Sequence, residues 1–140
     1  MGRVAAIDFG LKRLGVALSD ETKLIASSLG TVIAGRTSDQ TVQTLIKFLE
    51  NHAIDQIIFG NPLHMNGDVS FLADEVRHFV SLLEKQISIP ISLWDERLTS
   101  VQAHRTMQLG GMSRKKRAKL VDSLSAVILL QSYLDSQRAM

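Results

Sequence analysis

Cysteine is absent from the 140-residue chain, which excludes a disulfide framework and a thiolate zinc site and agrees with a reducing compartment. Proline is scarce, with two residues, and neither internal repeats nor low-complexity tracts occur, so a compact fold with short connections is expected. No apolar run approaches the roughly 20 residues of a membrane span, and the N-terminus lacks a basic segment leading into a long apolar core. A cytoplasmic protein with no membrane partner is therefore expected. One tryptophan and one tyrosine are too few for a base-stacking platform, which favours recognition of shape and backbone over reading of bases. Acidic residues are missing from one stretch: Arg97 to Val121 holds seven Lys or Arg and no Asp or Glu, whereas residues 1–96 hold eight basic and twelve acidic side chains. The net charge of +2 thus conceals a local positive field of the kind that meets a polyanion.

The length fits one domain spanning 1–140, large enough to bury a core without staples. "RVAAIDF" and "GVALSD" read as two strands joined by the tight "GLKRLG", a hairpin. "ASSLGTVIA" reads as a third strand in which Gly30 marks a bulge. Ser38 is the expected N-cap of a helix carrying Val42, Leu45, Ile46 and Leu49 and stopping near His52. "DQIIFGNP" reads as a buried strand ending at Gly60. Leu72, Val76, Phe79, Val80 and Leu83 form the apolar stripe of a second helix, with Asp74, Glu75, Arg77, Ser81 and Glu84 on the wet side. "IPISLWD" is the next strand, Thr99 with Gln102 resembles a capping box, and a short helix is expected to run to Gly110 and Gly111. The last helix is expected to begin near Arg117 or Ala118 and, apolar nearly all round, to be buried. A meander followed by alternating helices and strands predicts an α/β fold with a mixed sheet, antiparallel at one side and parallel at the crossovers. Ligand sites in such sheets gather beyond the carboxyl ends of strands, where strand order reverses.

Three acidic positions are not explained by solubility. Asp8 ends the first strand, Asp95 and Glu96 end "ISLWDE", and Asp122 interrupts the apolar start of the last helix. Converging carboxylates repel one another unless a divalent cation neutralises them, and a set of oxygen donors suits Mg²⁺ or Mn²⁺ rather than zinc. Two such ions about 3.5–4 Å apart activate water and stabilise a leaving oxygen, the chemistry of phosphodiester hydrolysis. Singly, each acid also has a local explanation: Asp8 in the following turn, Glu96 paired with Arg97, Asp122 favoured by the dipole of a helix start. Successive strand residues point to opposite sides, so Asp95 and Glu96 cannot share one site in a regular strand. Glu96, with the longer reach, is taken as the ligand and Asp95 as its alternative.

"GGMSRKKRAKLVD" places Arg114, Lys115, Lys116, Arg117 and Lys119 just before Asp122, with the wrong sign for a helix N-terminus. A basic segment beside an acidic metal centre makes sense as a grip on phosphates, and Lys12, Arg13 and Arg97 lie beside the other two acids. In "GNPLHMNG", Asn61 is placed to bond a phosphate or its own backbone, and His64 is a candidate proton carrier.

"AIDFGLKRLGVALSD", "IIFGNPLHMNG", "WDERLTS" and "RKKRAKLVDSLSAVILLQSYL" together resemble, in order and spacing, the YqgF family of RuvC-like nucleases. The resemblance covers essentially the whole chain. It implies a ribonuclease H-like mixed sheet with helices on both faces, a divalent-metal nuclease site, and a role in maturing the 5′ end of pre-16S rRNA. Resolution of Holliday junctions is the alternative activity it implies, so the expected partner is structured RNA or branched DNA, met by a monomer or a homodimer. By position, the family's acids fall on Asp8, on the carboxylates of "WDER" and on Asp122. Where RuvC relatives place a fourth acid, this chain has Ser125 and Ala126. Two other classes compete. "DFGLKRLG" also resembles the first phosphate loop of actin-like ATPases and sugar kinases, although those proteins close two such domains over ATP. A non-catalytic ribosome-assembly factor would keep the fold and the basic segment without turnover.

Overall fold

The computed structural model describes residues 2–62, 71–95 and 114–138, with side chains of the last segment from residue 124 onward. Five strands form one sheet: β1 (Arg3–Asp8), β2 (Arg13–Ser19), β3 (Ala26–Ile33), β4 (Ile54–Asn61) and β5 (Ile91–Asp95). Their spatial order is β3-β2-β1-β4-β5. The β1–β2 and β2–β3 pairs are antiparallel, and β1–β4 and β4–β5 are parallel. The chain thus builds one side of the sheet as a meander and the other through crossovers, and the order reverses beside β1.

Alternation along β1 explains its unbroken apolar run. Ala5 and Ile7 join a core with α1 (Ser38–Leu49) and α2 (Phe71–Glu84), while Val4 and Ala6 join a second core with α3 (Arg114–Arg138). Both sides of a central strand are covered, so both parities must be apolar. Helices therefore lie on both faces, as the resemblance implied.

Local chemistry corrects several expectations. The cap of α1 is Thr37, whose hydroxyl accepts from the Gln40 amide, and Gln40 reaches back to the Arg36 amide. Ser38 is already helical, because a cap needs its partner three residues on, and that spacing belongs to Thr37. Helix α1 stops at Leu49, and β4 continues one residue past Gly60 to Asn61. On α2 the buried stripe is Ala73, Val76, Phe79, Val80 and Leu83; Leu72 and Glu75 are half-buried. The β3 bulge is real: Val16 pairs Gly30 and Ala17 pairs Ser28, leaving Leu29 as the extra residue. Gly30 has φ +143°, a conformation that L side chains rarely adopt.

Helix α3 begins at Arg114, three residues before Arg117. Lys and Arg are good helix formers, so the basic run joins the helix instead of preceding it as a loop. Nor is the helix buried all round. Ala126, Leu129, Leu130 and Leu134 are buried, their neighbours are half-buried, and Asp135, Gln137 and Arg138 are exposed. The capping box at Thr99 and Gln102, and the short helix to Gly110 and Gly111, lie outside the described residues.

Gln131 ties α3 to the amino edge of the sheet. Its carbonyl accepts from the Ala26 amide and its amide donates to the Leu24 carbonyl. The burial of Ala126, Leu129 and Leu130 against the sheet then directs the first half of α3 toward the opposite, carboxyl edge.

Candidate active site

The carboxyl edge collects the ends of β1, β4 and β5, which are parallel and end at Asp8, Asn61 and Asp95. Side-chain parity sorts these three. Asp8 shares its face with Val4 and Ala6, the α3 face. Asn61 and Asp95 are paired in register and follow the parity of Ile57, Phe59 and Ile91, which pack toward α1 and α2. Asp95 therefore lies on the side opposite Asp8, a direct consequence of the two-residue repeat.

Around Asp8 the neighbouring strands carry glycine on this face. Asp8 pairs with Gly15 on β2, and one step beyond the Ile7–Phe59 pair brings it beside Gly60 on β4. Gly60 in turn pairs with Trp94 on β5. The row across this face thus reads Gly15, Asp8, Gly60, Trp94: one carboxylate between two glycines, bounded by an indole. Trp94 packs edge-on against Tyr133 of α3, ring centroids 5.4 Å apart, and the Tyr133 hydroxyl accepts from Gln56. The Trp94 ring nitrogen is buried without a partner, and so is the Asn61 side-chain oxygen. Sequence reasoning passed over Gly15 and Gly60 in this role. The signal was present as two glycines inside otherwise buried strands, where a missing side chain marks close approach.

Of the proposed nucleic-acid contacts, Lys12 is exposed in the β1–β2 turn and Arg13 is half-buried at the start of β2, both at the carboxyl edge. Arg13 shares the parity of Gly15, hence the face of Asp8. Arg114, Lys115, Lys116, Arg117 and Lys119 occupy the first two turns of α3. Glu96, Arg97 and His64 lie outside the described residues, as does the Asp122 side chain. Among the described residues no group of three or more His, Asp or Glu side chains forms a metal cage; Asp8 is the single proposed ligand whose side chain is described. Its setting fits a hard cation, since it offers an oxygen donor between two strand glycines.

A family model described as "RuvX: Holliday junction resolvase" matches residues 2–136. The chain belongs to the RuvX family. The curated relatives of this RuvX chain carry the name "Putative pre-16S rRNA nuclease". One from Protochlamydia amoebophila is 50% identical, covering 96% of this chain and 94% of the relative. Another, from Clostridium acetobutylicum, is 40% identical over 96% and 98%. Among solved structures, Thermus thermophilus RuvC in complex with a Holliday junction substrate aligns with TM-score 0.61 at 14% identity, covering 100% of this chain and 98% of that one. Thermus thermophilus RuvC in a separate structure aligns with TM-score 0.56 at 13% identity, covering 98% and 96%. At such identities the likeness establishes the fold, ribonuclease H-like, and nothing finer. Membership of a nuclease family decides against the sugar-kinase resemblance of "DFGLKRLG".

Proposed function

We propose that this RuvX chain is a divalent-metal-dependent nuclease of structured nucleic acid, acting on the 5′ end of pre-16S rRNA, with Asp8, Glu96 and Asp122 as the ligands of Mg²⁺ or Mn²⁺. The observation that carries the reading is the place of Asp8: the carboxyl end of the central strand, at the point where strand order reverses, between two glycines.

Geometry supports the other two ligands. Trp94 lies on the α3 face and Asp95 on the one opposite Asp8, which favours the choice of Glu96 over Asp95. Position 122 is one helical turn before the buried Ala126. It lies nine residues from Gln131, roughly 13 Å of helix, and Val4 to Asp8 spans roughly 13 Å of strand. These equal spans support Asp122 as a ligand beside Asp8.

A cation bound there would supply charge neutralisation and Lewis acidity for water attack on a phosphodiester. Asp8, Glu96 and Asp122 hold it. Lys12, Arg13, Arg97 and the basic first turns of α3 grip phosphates on either side of the scissile bond, giving affinity that falls with salt and reads little sequence. We read the chain as one cytoplasmic domain over 1–140. A monomer suffices to cut one strand, and symmetric cutting of a junction needs a homodimer with two-fold symmetry. The pre-16S rRNA reading follows the names of the curated relatives, and a branched-DNA reading follows the family description.

The test is incubation with Mg²⁺ or Mn²⁺ and either a pre-16S 5′ leader RNA or a matched four-way DNA junction. Metal-dependent cutting of the RNA is expected, lost at least a hundredfold in Asp8→Asn (roughly, from the cost of a lost transition-state stabiliser) with binding retained. Cutting of the junction alone favours the branched-DNA reading. Binding without cutting under either metal supports an assembly factor instead.

A further inference from the structure

On the α1/α2 side of the same edge lies a cavity of about 150 Å³, lined first by Phe9 and Gly10, the two residues that follow Asp8. Its walls also bring together Leu11 of the β1–β2 turn, Arg36 before α1, and Glu75 and Phe79 of α2. Phe9 rests on Phe79 with ring centroids 5.1 Å apart, and Leu11 is 59% exposed at the rim. Beside this apolar wall stand two opposite charges, a half-buried Glu75 and an exposed Arg36. Neither side chain has a hydrogen bond or ion pair among the described residues.

Size restricts the occupant. A void of about 150 Å³ accommodates a single six-membered ring, whereas drug-sized ligands fill about 300 Å³ or more. A single-ring group is admitted. Nucleic acid at this edge supplies such rings, because unstacked bases seat on aromatic side chains and are read along their hydrogen-bonding edges. A carboxylate accepts from the exocyclic amino group of cytosine. Uracil presents a carbonyl oxygen at that place, which Glu75 repels, and a guanidinium donates to the remaining ring acceptors of cytosine.

We infer that this cavity is a cytosine-selective base pocket, seating an unpaired pyrimidine of a strand that crosses the carboxyl edge. The inference rests on the nuclease reading. Phe9 follows Asp8 directly in the chain but points to the opposite face of the sheet, so the pocket and the proposed cation site share the carboxyl edge and not one face. The pocket adds a base-reading contact to a surface that otherwise reads shape and backbone.

The test is fluorescence anisotropy of the full chain with labelled octamers of cytidylate and of uridylate, without divalent cation so that nothing is cut. The cytidylate octamer binds about tenfold more tightly than the uridylate, the size of one good edge contact, and Glu75→Gln brings the two within about twofold. Equal affinities in the native chain, or a preference that survives Glu75→Gln, overturn the pocket. If either result accompanies intact cleavage of the leader RNA, the nuclease reading stands and the pocket alone falls. Failure to bind either octamer, together with failure to cut any RNA, removes both.

Discussion

At the scale of the residue, the placement of Asp8 depends on its neighbours having no side chains. Gly15 and Gly60 flank it in the sheet row, so the proposed cation site has no strand side chain on either side of the carboxylate. Filling those positions is expected to stop the chemistry while leaving the fold, because valine suits a buried strand. Gly60→Val and Gly15→Val should each lower cleavage by about a hundredfold, the order of loss that an ångström of misplacement causes. Far-ultraviolet circular dichroism should be unchanged, and a folded variant with full activity would contradict the account. A second aspartate has a purely structural task. Asp20 accepts from the Thr22 hydroxyl and from the Ile25 and Leu24 amides, and these bonds hold its carboxyl down to about 2 from 3.8. A carboxyl depressed in the folded state stabilises above its unfolded pKa, and that contribution is lost as pH falls from 3.8 through about 2. Asp20→Asn should therefore melt below the native chain at pH 6, with the gap closing toward pH 2. A gap that persists at low pH would show that the turn is held by something else.

At the scale of the element, α1 tests how its first turn is built. Thr37 supplies the cap and Ser38 does not, so Thr37→Ala should cost about 1 kcal/mol in urea unfolding. Ser38→Ala should stay within about 0.5 kcal/mol, and reversed magnitudes would move the cap. The elements themselves were largely legible from the sequence. The hairpin at "GLKRLG", the bulge at Gly30 and the stripe on α2 follow from turn chemistry and periodicity. Ends were less legible, since Thr37 and Ser38 are both good caps and only the reach to Gln40 separates them. The start of α3 was hidden for a related reason: a basic run reads as a loop by charge and as a helix by propensity, and propensity prevailed.

At the scale of the whole molecule, the sheet determines which acids can meet. Parity places Asp95 on the α1/α2 side and leaves the α3 side to Asp8, which supports the proposed choice of Glu96 over Asp95 and depends on strands the sequence alone does not align. The flanking glycines stood in the sequence as gaps in buried strands, but their place beside Asp8 arises only from register across three strands. The central claim is that β1, the segment after β5 and α3 together hold one hard cation on the α3 side. Calorimetric titration of Mn²⁺ into the native chain and four single variants measures it directly. Asp8→Asn, Glu96→Gln and Asp122→Asn should each weaken binding by about tenfold or more, while Asp95→Asn stays within about twofold of native, since even outer groups of a metal site cost about 10–100-fold. Native affinity in the first three variants, or a loss confined to Asp95→Asn, would contradict the account.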